Sequence, residues 1–484
     1  MFKKILRKYK EVPVTVRSSI WYTICSLVQK SISFLTVPLF TSLLTTAEYG
    51  EFSIYQSWFS ILIIFTTLTL NGGIFNQAMI EFKNDRLGYI SSIQGLVLLL
   101  NLLLLGVFLL FPAPIETLIG LPGVVILAMI FEMSFKTSID FWGGKKRYEY
   151  KYQSYVIITI LYSLLSTLIS LGFVYISKDR GLARILSFSV FSGLFGLIFF
   201  FYNWAKGKKI YSKKYWTYAL KYSLPLIPYY LSQMIFNQSD RIMIDNMIGK
   251  SAAGIYSLAV NLSLVLTFVL NAIEASFLPW FYQRINDGRI QGIRQRVNQL
   301  VLIVMSGLLF VLLLAPELLS IMAPNTYSSG LDAMPPVILS LLFLFYVQFF
   351  VAILFYYKSI LSLAITSIIS ASVNILLNLL LLPMFGFAAA GYTTLISFIL
   401  FAIGTAYFAN KACKKHLGYS ITKLYDLRMF IILALLMLAV MFMMVFLYRL
   451  TVIRYLFIAL LLLSCLIFHK KIIQFLKTAL NKGE

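Results

Sequence analysis

The sequence predicts an all-α integral membrane protein with fourteen transmembrane helices. They form two pseudo-repeated six-helix lobes followed by two C-terminal helices. Three observations predict it. The 484-residue chain is 60% hydrophobic and only 12% charged, where a soluble domain is about a quarter charged. Its apolar residues fall in runs of roughly 18–25, the length that crosses about 30 Å of hydrocarbon. Its Lys and Arg residues collect in alternate short loops between those runs, the bias that marks the cytoplasmic side. The spans must be helical, because lipid offers no partner to a free backbone N–H or C=O. Barrel strands would alternate apolar and polar residues, and these runs do not.

In order, the predicted spans are 18–43, 52–75, 89–111, 116–141, 153–176, 183–204, 219–247, 252–280, 297–315, 334–356, 359–382, 388–409, 428–448 and 452–468. Charge tests the count. With the N-terminus inside, 32 of the 41 Lys and Arg residues fall in inner segments and six, Lys178, Arg180, Arg184, Lys250, Arg449 and Arg454, in outer ones. Lys30, Lys136 and Arg241 remain inside spans. A wrong number of spans would scramble this alternation, so both termini are placed in the cytoplasm. The basic head "MFKKILRKYK" precedes a long span with no small-residue cleavage site, unlike a signal peptide.

A repeat supports the lobes. "AEYGEFSIY" (Ala47–Tyr55) and "SAAGIYSLA" (Ser251–Ala259) align at an offset of 204 residues, matching Gly50 to Gly254, Phe52 to Tyr256 and Ser53 to Ser257. They follow spans 1 and 7, six helices apart, as expected of parallel repeats in transporters. The predicted organisation is an N-lobe at 1–204, a basic cytoplasmic linker at 205–218, a C-lobe at 219–410, and a loop, two helices and a basic tail at 411–484.

Ionisable groups inside spans are costly unless they face protein or water, so each needs a reason. Lys30 lies about twelve residues from either end of span 1, far for a snorkelling lysine, and faces a cavity in the alternative. Glu132, Lys136 and Asp140 share one face of span 4 at i, i+4, i+8. They form either a neutralised structural ladder or a cavity wall whose lysine meets an anion. Span 7 carries Asp240, Arg241 and Asp245. Arg241 is either half of a salt bridge with Asp245 or a cationic centre for phosphate, which the planar guanidinium binds bidentately. Glu274 in span 8 has no basic neighbour in its own helix, and is either a proton site or a residue near the inner interface. Asn374 and Asn378 suit interhelical hydrogen bonding. Pro38, Pro225, Pro228 and Pro279 permit bends in spans 1, 7 and 8.

The same residues exclude several classes. A net charge of +23 could suit nucleic acid, but the basic residues lie beside apolar runs and serve topology instead. Cys25, Cys413 and Cys465 are far apart and form no CxxC pair, and His416 and His469 sit beside lysines. Neither a disulfide framework nor a metal site is expected. No phosphate-binding loop lysine, GxSxG or HExxH is present, so no built-in ATPase or hydrolase is expected. No cofactor is implied; any driving ion would be H⁺ or Na⁺.

Three segments carry a family resemblance. They are "FLTVPLFTSLLTTAEYGEFSIY", "LPLIPYYLSQMIFNQSDRIMIDNMIGKSAAGIYSLAVNL" and "LFYYKSILSLAITSIISASVNILLNLLLLPMFGFAAAGYTTLIS". In this order they resemble the opening, helix 7 and helix 11–12 signatures of Wzx-type O-antigen and capsule repeat-unit flippases. These form the polysaccharide transporter branch of the multidrug/oligosaccharidyl-lipid/polysaccharide exporter superfamily. The resemblance implies movement of undecaprenyl-diphosphate-linked oligosaccharide from the inner to the outer leaflet of the bacterial cytoplasmic membrane. It also implies two lobes around a V-shaped cavity of alternating access, with 428–468 as a groove for the lipid tail. Lys30, Lys136 and Arg241 would then attract the diphosphate or an acidic sugar. Glu132, Asp140, Asp240, Asp245 and Glu274 would be charge partners or ion-coupling groups. Membrane lipids, and the polymerase and chain-length regulator of polysaccharide assembly, are the implied partners. A lipid II flippase and a cation-coupled multidrug exporter are the alternatives. The first would be expected to hold a denser N-lobe cationic cluster than Lys30 and Lys136 supply.

Overall fold

The computed structural model describes residues 12–467, and every regular element among them is helical. The basic residues predicted at 3–10 and from 470 on, and His469, lie outside the described residues. The chain divides into two compact units with the boundary after Asn246.

The first unit contains α1 (Val14–Leu35), α2 (Val37–Leu43), α3 (Thr46–Thr67), α4 (Gly73–Glu81), α5 (Arg86–Leu110) and α6 (Pro112–Ile119). It continues with α7 (Gly123–Tyr148), α8 (Tyr152–Ile176), α9 (Arg180–Gly207), α10 (Lys213–Ser223) and α11 (Ile227–Met247), whose last residue crosses the boundary. The second holds α12 (Lys250–Ser263), α13 (Thr267–Asn286), α14 (Ile293–Leu313), α15 (Ala315–Met322), α16 (Met334–Tyr356), α17 (Ile360–Phe385), α18 (Ala389–Leu417), α19 (Leu427–Leu447) and α20 (Thr451–Ile467).

Ten helical stretches among the described residues are long and apolar enough to cross a membrane, and eleven if the bent pair α6–α7 counts as one. The protein is therefore a multi-pass membrane protein. Reaching fourteen requires α3, α11 and α20 as well, so that number belongs with the proposal below.

Several predicted spans are broken or shifted. Span 1 breaks at Thr36, where Pro38 enters the first turn of α2 and withholds its N–H. Span 7 is interrupted by a 3-10 turn at Leu224–Leu226 around Pro225. Span 8 breaks at Leu264–Leu266, a 3-10 turn without proline that the sequence did not signal. Span 4 starts later than predicted, because Gly120 takes a left-handed φ of 74° and the chain turns by 86° between α6 and α7. Span 2 starts earlier and ends at Thr67, because Leu68 and Thr69 both take positive φ, 50° and 51°.

In the first unit α9 packs most extensively on α7, and also on α8, α5 and α3. Gly193 and Gly196 allow the approach, since a Cβ there would strike the Phe131 ring and the Phe135 backbone. Small residues play this part wherever membrane helices touch. Part of the stretch predicted as a linker, 205–218, is docked on this unit. Tyr215 belongs to an aromatic core with Phe75, Phe82, Tyr89 and Phe141, and Trp216 Nε1 donates to the Ser92 carbonyl at 2.9 Å. The centre of the second unit is α16, which is apolar all round, as a buried helix should be. It packs on α18, α14, α19, α12, α13 and α17.

Both copies of the repeat motif open a helix. Thr45 and Glu48 form a capping box before α3, a pairing that satisfies two otherwise unpaired backbone N–H groups. Before α12, Gly249 holds φ of 127°. Gly50, Ser53, Gly254 and Ser257 are all buried.

Candidate functional site

The helical repeat puts Glu132, Lys136 and Asp140 on one face of α7. Glu132 is fully buried, and both its oxygens are occupied. Lys136 Nζ meets Oε1 at 2.8 Å, and the Tyr55 hydroxyl of α3 donates a short bond to Oε2. Lys136 keeps a quarter of its side chain accessible, at 26%. Its ammonium lies 4.8 Å from the Phe59 ring centroid and 5.5 Å from that of Phe188, within cation–π range. Asp140 lies outside that pair and is exposed. It accepts from Asn71 Nδ2 at 3.4 Å, and Asn71 rides on the strained left-handed turn after α3.

A second polar group sits on α11. Arg241 Nη1 donates to Gln238 Oε1 at 3.1 Å, and the same oxygen accepts from Ser57 Oγ of α3 at 3.1 Å. Gln238 thus ties Arg241 to the helix that carries Tyr55. Asp240 is buried and Asp245 half-buried, the latter with a carboxyl oxygen beside the Gly120 turn. Lys30 is half-buried on α1. The preceding Gln29 bonds the Thr159 carbonyl at 3.2 Å and Ser163 at 3.1 Å, pinning α1 to α8.

In the second unit Glu274 is half-buried, and among the described residues no hydrogen bond or ion pair holds it. Asn374 and Asn378 are fully buried. Asn378 accepts from Thr393 Oγ1 of α18 at 2.6 Å, the interhelical role expected of it.

The profile of the family described as "Polysaccharide biosynthesis protein" matches residues 15–285, more than half of the chain. The chain belongs to that family. It is 24% identical over 289 residues to an Lsg-locus protein of Haemophilus influenzae, covering 57% of this chain and 67% of that protein. An uncharacterized membrane protein of the same organism is 21% identical over 287 residues, with the same shares covered. Two solved structures share the fold. One is the lipid II flippase MurJ in an inward closed conformation, with TM-score 0.61 and 16% identity over 94% of this chain and 100% of that chain. The other is an inward-facing multidrug transporter of the MATE family, of the MOP superfamily, with TM-score 0.60 and 13% identity over 81% and 99%. The resemblance to the polysaccharide transporter family is thereby borne out.

For this family member, sequence reasoning missed Tyr55 and the partners of two arginines. Tyr55 lies mid-helix because α3 starts earlier than predicted; at the outer end of the predicted span 52–75 it reads as an interfacial tyrosine. Arg184, grouped with the outer charges at the start of predicted span 6, lies in α9. Its guanidinium stands 3.3 Å from the Phe40 ring centroid and 4.4 Å from that of Phe52, and it donates to Ser170 at 2.9 Å. Arg454, counted in the last outer loop, is 3% exposed on α20 and forks onto Glu317 of α15. Nothing in the spacing of either arginine announced its partner.

Outside the spans, two carboxylates cap helices and hold ion pairs. Asp85 caps α5 and accepts from Lys209 at 2.5 Å and Tyr215 at 2.6 Å. Burial alone would raise it, but these bonds outweigh burial and hold its carboxyl below the usual carboxylate range. Asp426 caps α19 and pairs with Arg294 at 2.6 Å. The Arg294 hydrogen bond is the main cause that lowers it.

Proposed function

We propose that the protein is a flippase for surface-polysaccharide biosynthesis. It carries undecaprenyl-diphosphate-linked oligosaccharide repeat units from the inner to the outer leaflet of the bacterial cytoplasmic membrane by alternating access. The observation that carries this reading is the family match over residues 15–285. The fold shared with a lipid flippase over 94% of the chain supports it. The positive-inside bias supports fourteen spans with both termini in the cytoplasm. The repeat motif supports lobes at 1–204 and 219–410, with 205–218 between them and 411–484 as the appendix.

The chemistry of the site suits an anionic headgroup. Arg241 offers a guanidinium fork, and Lys30 and Lys136 offer ammonium groups. Glu132, Asp140, Asp240 and Asp245 balance these charges, and Glu274 is the candidate for H⁺ or Na⁺ coupling. The polymerase and chain-length regulator are the expected downstream partners. The second reading is a lipid II flippase, favoured by the fold shared with MurJ.

The test is Arg241→Ala expressed in cells lacking the native gene. The expected result is loss of surface polysaccharide with the protein still in the membrane; normal polymer would refute the role of Arg241. For coupling, Glu274→Gln in proteoliposomes should flatten the pH dependence of transport, and an unchanged profile would refute it.

A further inference from the structure

One pocket in the second unit is lined by both a carboxylate and a guanidinium. It measures about 450 Å³ and is bounded by the ends of α17, α18 and α19 and by the 3-10 segment Asn325–Asp332. Asp332, Tyr392 and Arg449 supply its polar lining, and Leu381, Phe385 and Val445 its apolar wall. All three polar residues belong to helix ends or connections that the charge pattern places at the outer membrane–water interface.

The charges are its distinctive feature. Asp332 and Arg449 line the same pocket and are both exposed. They form no ion pair with each other, and neither side chain makes a hydrogen bond to any described residue. Opposite charges that line one pocket attract each other, less so when exposed as these are. Here they stand apart, as two ends of a receptor for a molecule that itself carries both signs. A purely anionic molecule would meet Arg449 but be repelled by Asp332, and a purely cationic one the reverse. The apolar wall below them asks for hydrocarbon on the same molecule.

We infer that this pocket binds a zwitterionic phospholipid bearing a primary ammonium, with phosphate on Arg449, ammonium on Asp332 and acyl chains along Leu381, Phe385 and Val445. Arginine suits the phosphate because its planar fork makes two charge-assisted hydrogen bonds. A primary ammonium has three N–H donors for the Asp332 carboxylate, whereas a choline headgroup has none. The tyrosine contributes an amphipathic ring of the kind favoured at the interface. By the charge pattern the site lies among the outer helix ends, with Val445 and Arg449 inside the 428–468 stretch.

The test uses the purified full-length chain in detergent, with bound lipid counted by native mass spectrometry. The probes are phosphatidylethanolamine, phosphatidylcholine, phosphatidylglycerol and soluble phosphoethanolamine. Wild type should retain phosphatidylethanolamine about tenfold better than phosphatidylglycerol and several-fold better than phosphatidylcholine. Arg449→Ala should cut retention of phosphatidylethanolamine about tenfold, and Asp332→Asn should erase its advantage over phosphatidylglycerol. Both side chains are exposed, so the variants should fold; a monodisperse elution profile checks this, and Arg449→Gln replaces any variant that fails it. Equal retention of the three lipids by wild type, or unaltered retention by both variants, would overturn the assignment. Competition by soluble phosphoethanolamine as effective as by the lipid would also overturn it, since the site would then recognise a free phosphate ester.

Discussion

Inside the first unit, polarity within the helices is ionic. Glu132, Lys136 and Arg241 all lie mid-helix; Tyr55 binds Glu132, and Gln238, itself held by Ser57, binds Arg241. Inside the second, the mid-helix polar groups are typified by the neutral and fully buried Asn374, Asn378 and Thr393; among the described residues its ions are the half-buried Glu274 and, near helix ends, pairs such as Arg454–Glu317. Amides and hydroxyls fix helix packing at modest cost. Charges at that depth are expensive, and membrane proteins place them where a substrate or ion must be met. The difference fits the proposal that headgroup chemistry sits on α7 and α11, with the neutral groups of the second unit serving packing and Glu274 kept for ion coupling.

The contrast can be broken by substitution. Glu132→Ala strands the Lys136 ammonium beside two aromatic rings. Removing one partner of a buried ion pair typically costs about 3–5 kcal/mol, so the detergent-solubilised variant should unfold well below wild type in a thermal melt. An unchanged melt would show that Lys136 is solvated rather than held. Tyr55→Phe should follow, since a hydrogen bond to a charged group contributes about 1.5–3 kcal/mol. It should also lower transport, because Tyr55 fixes the carboxylate that orients Lys136. In the second unit Asn378→Leu should cost less, about 0.6–2 kcal/mol as other interhelical hydrogen bonds in membranes do, with transport per folded molecule retained. A transport defect equal to that of Tyr55→Phe would remove the distinction between the units.

The smallest effect lies outside the spans. Asp85 and Asp426 are held below the usual carboxylate range by Lys209, Tyr215 and Arg294. A depressed carboxyl adds stability that is complete above its unfolded pKa, near 3.9, and is lost as pH falls through the folded value. Both pairs are partly exposed, so the effect should stay within about 1 kcal/mol. Melts between about pH 5 and pH 3 should show Asp85→Asn with a shallower acid decline than wild type.

Much of this was legible beforehand, because lipid imposes simple rules. Run length and loop charge gave the class, and the i, i+4 spacing gave the Glu132–Lys136 pair. What was hidden depended on contacts distant in sequence. Tyr55 and Glu132 are 77 residues apart, and no periodicity links them. Arg184 and Arg454 look like loop charges until Phe40, Phe52 and Glu317 are seen beside them. The break at Leu264–Leu266 has no proline to announce it. Arg241 shows the limit of spacing: Gln238, one turn earlier, links it to Ser57 of α3, and no periodicity announces that link.

The most direct test of the central claim is the membrane sidedness of lipid-linked oligosaccharide in cells deleted for the gene. Inner and outer leaflets would be probed separately with a membrane-impermeant, sugar-cleaving enzyme. The account predicts that undecaprenyl-diphosphate-linked repeat units accumulate, protected, on the inner leaflet, while lipid II distribution stays normal. Normal outward delivery of the repeat unit, or inner-leaflet accumulation of lipid II in its place, would contradict it.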